Sequence, residues 1–210
     1  MPRIEPFETH GEVYDDWFER YKGIYVSELK AMRLLLPSFQ RGVEVGIGTG
    51  RFAAPLGIRE GVEPSPKLAE VARQRGLRVV EGVAEHLPFP DASFDLVLFV
   101  TTICFVDDLS KSFQESYRVL IPGGFILVGM VDRESHLGKI YEAKKGENVF
   151  YRHATFYTTS EVVNLLYKAG FKDFNFAQTI FGDLHTGPQE EDPRFGFGEG
   201  SFVVIRAQRR

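Results

Sequence analysis

Between residues 14 and 36, apolar side chains recur three and four positions apart: Tyr14, Trp17, Phe18, Tyr21, Ile24, Tyr25, Leu29, Met32, Leu35 and Leu36. That period lays one apolar stripe along a helix. Gly23 is a candidate break and Pro37 a stop. Beyond Arg41 the pattern changes to short apolar runs alternating with helical ones. "GVEV" (42–45) reads as a strand, with "RFAAPL" (51–56) as a short helix behind it. "REGVE" (59–63) is a second strand. A helix follows over 65–76, with Ser65 at the N-cap, Pro66 at the first helical position and Gly76 as terminator. "LRVVEG" is a third strand, and "FDLVLFV" (94–100), apolar on both faces, suits a central parallel strand. A helix over 109–120 is stopped by "IPGG", and "FILVGMV" (125–131) is the fifth strand. Thr158 and Glu161 have the spacing of a capping box for a helix ending at Gly170. Residues 171–179 and 201–207 give the last two strands.

Seven strands with helical crossovers predict an α/β fold: a doubly wound, Rossmann-like sheet, mostly parallel, with helices on both faces. No helix separates the last two strands, so they are expected to pair antiparallel at one edge. The pattern divides the chain into an N-terminal helical cap (1–40) and the sheet domain (41–210). Residues 132–158 and 182–200 have no assigned place in the sheet. The second is a Gly/Pro-rich loop of a length more often functional than structural.

Composition narrows the function. The 210 residues are 43% hydrophobic, enough for one substantial core. A net charge of −4 and a pI near 5.8 give no electrostatic reason to expect nucleic acid. The lone cysteine, Cys104, excludes an internal disulfide framework and points to a reducing cytosol. The acidic, proline-broken start is wrong for a signal peptide, and no apolar run approaches the ~20 residues of a membrane span.

The candidate chemistry centres on "GVEVGIGTGRF", where Gly46, Gly48 and Gly50 follow the first strand. A dinucleotide site wants G-x-G-x-x-G, but here Arg51 occupies the third glycine position, and the spacing is G-x-G-x-G. Glu44 inside that strand would repel a pyrophosphate. Glu63, ending the second strand in "GVEPSP", is placed at the crevice mouth and can accept hydrogen bonds from both hydroxyls of a ribose. Two carboxylates and no basic residue for a phosphate favour a nucleoside carrying a cation.

These residues resemble a known family. "VEVGIGTG" and "GVEPSP" are similar to the first two motifs of class I S-adenosylmethionine-dependent methyltransferases, near the ubiquinone and menaquinone biosynthesis group. "GVAEHLPFPDASFDLV" resembles the adenine-proximal segment, and "YRVLIPGG" the turn before the fifth strand. The resemblance covers about residues 41–131. It implies S-adenosylmethionine as cofactor, with Glu44 toward the amino end of the methionine moiety, directly or through water. It implies close backbone approach at Gly46, Gly48 and Gly50, with Glu63 on the ribose diol and Pro64 bordering the adenine. Ala84 and Glu85 would lie at the adenine edge, and Phe99, Val100 and Thr101 along the wall near the methionine. The chain departs from the family at Val83, where many members are acidic, and in the short span between Gly50 and Glu63.

The implied reaction is methyl transfer to a small-molecule acceptor by in-line displacement, without a metal. Positioning supplies much of the acceleration in such a reaction, so no catalytic triad is needed. Cys104 reads as inert packing rather than a nucleophile. Asp107 and Asp108 precede a helix and read as caps rather than metal ligands. The histidines His10, His86, His136, His153 and His185 lack metal-ligand spacing; His136 and His153 are candidate bases. Tyr14, Trp17 and Tyr21 could cover the cofactor or simply pack on the sheet. Two rivals stay open: a non-catalytic S-adenosylmethionine-binding module and a nicotinamide-dependent dehydrogenase. The sequence does not indicate an oligomeric state.

Overall fold

The computed structural model describes residues 4–182 and 189–210; residues 183–188 of the Gly/Pro-rich loop, His185 among them, lie outside the described residues. Strands β1 (Gly42–Val45), β2 (Glu60–Glu63), β3 (Arg78–Glu81), β4 (Phe94–Val100), β5 (Leu120–Val131), β6 (Phe171–Thr179), β7 (Arg194–Phe195) and β8 (Phe202–Arg209) form one sheet. Their order is β3-β2-β1-β4-β5-β8-β6-β7. The first five pair in parallel, while β8 runs antiparallel to both β5 and β6. Two expectations need correction. Among the described residues the sheet has eight strands rather than seven, because the long loop contributes the two-residue β7. The expected antiparallel pairing of the last two long strands is present at that end of the sheet, but their order is inverted: β8 lies inside, between β5 and β6. Its run "FVVI" is buried on both faces, as an interior strand requires.

The helices are α1 (Glu5–Arg20), α2 (Lys22–Leu35), α3 (Pro66–Gln74), α4 (Leu109–Val119), α5 (His136–Lys144) and α6 (Thr159–Ala169). The break between α1 and α2 falls at Tyr21, whose φ of −112° and ψ of 42° leave the helical region, and not at Gly23. Ser65 caps α3 by accepting the Leu68 N–H, and Thr158 and Glu161 form the full capping box of α6. The expected helix at 51–56 is instead a series of turns. It is bounded by Gly50 and Gly57, both at positive φ, and Pro55 has no N–H to give a helix. At the start of β5 the "IPGG" turn is a bulge, with the pairing stepping from Phe94↔Leu120 to Leu96↔Phe125.

The sheet divides the core in two. On one face α1, α2 and α3 pack over Leu96, Leu98, Val100 and Leu127. On the other, α4 and α6 pack over Val43, Val45, Val97, Phe99 and Ile126. The order reverses between β1 and β4, and the carboxyl ends of β1, β2 and β4 open there into a crevice.

Candidate active site

A cleft with an empty volume of about 700 Å³, counted out to solvent, lies at this reversal point. The turn after β1 gives one wall through Gly46 and Gly48, and the end of β2 gives another through Glu63 and Pro64. Ala84 and Glu85 border it from the loop after β3, and Thr101 and Thr102 from the end of β4. Ile4, Phe7 and Tyr14, from the N-terminal segment, close the remaining side.

The turn has its shape for physical reasons. Gly46 and Gly48 sit at φ +68° and +54°, where a side chain is disfavoured. A Cβ on Gly46 would lie 2.2 Å from Cγ2 of Thr102. A Cβ on Gly48 would sit at the cleft wall, 3.3 Å from the Tyr14 hydroxyl. The Glu63 carboxylate organises the opening, accepting the Gly48 N–H at 2.8 Å through Oε2 and the Ser65 N–H at 2.9 Å through Oε1. Each oxygen keeps a lone pair for a ligand. Burial pushes this carboxyl up to about 7, against the pull of those two N–H groups, and Glu8 nearby adds to the rise. Glu85 is similarly fixed, accepting the N–H groups of Asp107 and Asp108 at 2.7 and 3.0 Å. Asp108 in turn caps α4 through the Lys111 N–H.

Four residues with cofactor roles implied by the family resemblance lie outside this lining. Gly50 packs against the core, where a Cβ would meet Cδ1 of Leu77 at 2.2 Å. Phe99 and Val100 are buried core residues. Glu44 lies behind the glycine turn, 2% exposed, with Oε2 lacking a hydrogen-bond partner among the described residues. Burial drives its carboxyl well above the usual range, and the Ala53 N–H only partly opposes this. The early aromatic residues separate: Tyr14 borders the cleft, whereas Trp17 packs outside it, edge-on to Phe18 and tilted against Tyr21.

A second cavity of about 370 Å³ abuts the first and shares Thr101 with it. Its lining includes Cys104, Met130, Tyr141, Tyr151, Phe156 and Tyr157. Thr101 holds φ at +51°, a conformation that strains a β-branched residue, and its N–H is tied to the Gly129 carbonyl at 2.8 Å. Burial pushes the Cys104 thiol up to about 12, which keeps it protonated and poorly nucleophilic. His136 and His153 line neither cavity. The aromatic residues of the second cavity come from residues 132–158, which carried no sequence motif; only their density of Tyr and Phe distinguished them.

The fit of a sulfonium nucleoside follows from these features. Among the described residues no lysine or arginine lines the first cleft, so a pyrophosphate would have no counter-charge. Glu63 offers free lone pairs at the end of β2, Glu44 is an orphaned buried acceptor behind the turn, and glycines stand where side chains would intrude.

The comparisons agree. The family model for a methyltransferase domain matches residues 43–128. A solved S-adenosylmethionine-dependent methyltransferase of Thermotoga maritima, described as a possible histamine N-methyltransferase, is 49% identical, with a TM-score of 0.96. That match covers 99% of this chain and 100% of the other. An uncharacterised protein of Methanocaldococcus jannaschii is 41% identical over 203 residues, 97% of this chain and 98% of its own. The demethylmenaquinone methyltransferase of Chlorobaculum tepidum is 33% identical over 108 residues, 47% of this chain and 45% of its own.

Proposed function

Because the chain belongs to the S-adenosylmethionine-dependent methyltransferases, we propose that it methylates a small-molecule acceptor, without a metal ion and in the cytosol. The observation that carries this reading is the shared wall at Thr101: a cofactor-sized cleft and a smaller aromatic cavity meet at one residue. A binding module without turnover would have no use for the second cavity. The small second cavity and the acidic net charge of −4 favour a small acceptor over nucleic acid. The single cysteine supports a reducing compartment. No helix among the described residues is long and apolar enough to cross a membrane.

In this reading Gly46 and Gly48 let the backbone approach the cofactor, Glu63 holds the ribose diol, and Pro64, Ala84 and Glu85 border the adenine. Thr101 stands between cofactor and acceptor. Glu44 supplies an acceptor behind the turn for the ammonium side of the ligand, while Gly50, Phe99 and Val100 support the walls from the core. Bound S-adenosylmethionine supplies a methyl group on a sulfonium, a good leaving group in an in-line displacement. The protein's part is alignment and exclusion of water, achieved by the roof of Phe7 and Tyr14 and by the aromatic second cavity.

The test is a titration cycle on Glu63. A carboxylate receiving two hydroxyls makes charge-assisted bonds, so Glu63→Ala is expected to weaken S-adenosylhomocysteine binding by about 2–4 kcal/mol, roughly 30- to 1000-fold. A ligand lacking both ribose hydroxyls should lose a similar amount with the wild-type protein. The two changes together should cost much less than their sum, since each deletes the same interaction. This cycle also separates the ribose contact from the turn contacts to Gly48 and Ser65, which the mutation removes as well. Simple additivity would refute the ribose assignment, and preferential binding of NAD would refute the cofactor.

A further inference from the structure

The methionine end of S-adenosylmethionine carries two charges on one carbon, an ammonium and a carboxylate. The acids of the cleft answer only the first. Glu44 lies behind the glycine turn and Glu63 beside it, and among the described residues no lysine or arginine lines the cleft. A carboxylate brought there is repelled unless a neutral donor engages it, since an ionised group taken from water needs hydrogen bonds or a counter-charge. Which group supplies that donor follows from what the neighbouring N–H and O–H groups already do.

Most of them are occupied. The Gly46 and Ile47 N–H groups donate to the Val62 carbonyl at 2.8 and 3.1 Å, and the Gly50 N–H to the Ile47 carbonyl at 2.9 Å. The Gly48 N–H donates to Glu63. Arg51 and Arg75, bonded around the turn, direct their guanidinium groups to Asp15, Glu19 and the Thr49 carbonyl. Among the described residues, three hydroxyls line the cleft: Tyr14, Thr101 and Thr102. The Thr102 hydroxyl donates to the carbonyls of Gly46 and Val100. Thr101 stands apart, at the junction with the second cavity.

The phenol of Tyr14 is the group over the turn. Its oxygen lies 3.3 Å from where a Cβ of Gly48 would stand, so it faces the bare backbone there. The ring is held edge-on by Phe7 at 5.6 Å and Phe18 at 5.5 Å, with Phe150 tilted against it at 6.1 Å. One residue on, Asp15 ties the same stretch of α1 to Thr49, Arg51 and Arg75. Burial, and then the charges of Glu63 and Glu44, raise the Tyr14 phenol well above its ordinary value, so it remains a donor. A donor fixed before the ligand arrives loses little entropy on binding it.

We propose that Tyr14 holds the carboxylate of the methionine moiety by donating its hydroxyl, and thereby selects S-adenosylmethionine over its decarboxylated form. This rests on the methyltransferase reading above, and it gives α1 a binding role beyond covering the cleft. The charge of the cleft alone favours the opposite choice: beside Glu44 and Glu63, a ligand bearing only the ammonium is the better match. Tyr14 acts in binding and selectivity, and no proton moves through it.

The experiment pairs Tyr14→Phe, which keeps the ring and removes only the hydroxyl, with a ligand that lacks only the carboxylate. That ligand is 5′-deoxy-5′-(3-aminopropylthio)adenosine, which is S-adenosylhomocysteine without its carboxyl group. Calorimetric titration of the four combinations is expected to give the wild type an about 30-fold preference for S-adenosylhomocysteine, the order of one charge-assisted hydrogen bond. Tyr14→Phe should weaken S-adenosylhomocysteine by a similar factor and the amine ligand by about threefold or less. The preference should then vanish or invert. Retained affinity for the amine ligand also shows that the variant is folded. Equal or tighter binding of the amine ligand by the wild type overturns the proposal. So does equal weakening of both ligands by Tyr14→Phe, which would make the hydroxyl part of the wall and not a partner of the carboxylate. If neither ligand binds the wild type, the methyltransferase reading itself fails, and this inference with it.

Discussion

Gly46 and Gly48 sit two residues apart in one turn, yet an added methyl group would meet different surroundings at each. At Gly46 the new Cβ would overlap Thr102, whose hydroxyl donates to the carbonyls of Gly46 and Val100 at 3.2 and 3.0 Å. That side chain ties β4 to the glycine turn and cannot retreat without breaking those bonds. At Gly48 the nearest atom is the Tyr14 hydroxyl at 3.3 Å, on the far side of the cleft wall. Gly46→Ala is therefore expected to destabilise the fold by about 3 kcal/mol, combining overpacking with the left-handed backbone penalty. Gly48→Ala should cost only about 1–2 kcal/mol of stability, from the backbone alone. Its methyl group intrudes where the ligand lies, so its larger effect should be on S-adenosylhomocysteine affinity, about tenfold. Urea denaturation and calorimetric titration of both variants measure the two effects separately. The reverse order, with Gly48→Ala the less stable protein, would show that the turn is shaped by packing rather than by a ligand.

At the scale of elements, α1 is fastened over the cleft by its charged side chains. Asp15 accepts from the Thr49 hydroxyl at 2.6 Å, from Arg51 at 2.6 and 3.0 Å, and from Arg75 at 2.7 and 3.0 Å. Glu19 also pairs with Arg51, and the Ser65 hydroxyl donates to Glu8. The hydrogen bonds from Arg51, Arg75 and Thr49 hold the Asp15 carboxyl well below its usual range despite partial burial. A lowered folded-state value means that this stabilisation is present above about pH 4, the unfolded value, and is lost as pH falls through the folded one. Asp15→Ala should weaken the attachment of α1 by about 2 kcal/mol, because two arginines lose their shared partner. Hydrogen exchange should then accelerate in α1 while β4 and β5 stay protected. Equal acceleration in the sheet would make α1 part of one global folding unit. None of this network was visible in the pattern, since Asp15 and Arg75 are sixty positions apart. Local signals read well: the caps at Ser65 and Thr158, and the strands at 94–100 and 171–179, depend on neighbours in sequence. The insertion of β8 between β5 and β6 did not, because periodicity shows a strand's faces and not its neighbours. The site divides in the same way. Gly46, Gly48, Glu63, Pro64, Ala84, Glu85 and Thr101, read from motifs, border one cleft, whereas the second cavity gathers aromatic residues that share no motif.

For the whole molecule, the unusual quantity is the number of acids buried on folding. Glu28 and Glu63 are pushed up to about 8 and about 7 by burial, and Glu44 is raised as well. Each binds a proton more tightly in the folded than in the unfolded chain, where the value is 4.5. The sign follows: stability falls as pH rises above the unfolded value, and the loss is complete only once each folded-state group has ionised. The lowered groups Asp15, Glu60, Glu115 and Glu161 act in the opposite direction, losing their contribution in acid. The two sets together predict a stability maximum in mildly acidic solution and a decline from about pH 5 to pH 8. Glu28 isolates one part of that decline. Burial alone raises it, and the groups its charge acts on, Tyr141 and Tyr151, have raised values of their own and stay neutral across this range. Glu28→Gln should therefore match the wild type near pH 5, where both side chains are uncharged. At pH 8 it should be the more stable protein, by on the order of 3 kcal/mol, because it has no carboxyl to ionise in the core. Denaturant midpoints of the two proteins at half-unit pH steps measure the difference directly. Parallel curves across the whole range would mean that Glu28 keeps an ordinary carboxylate in the folded protein.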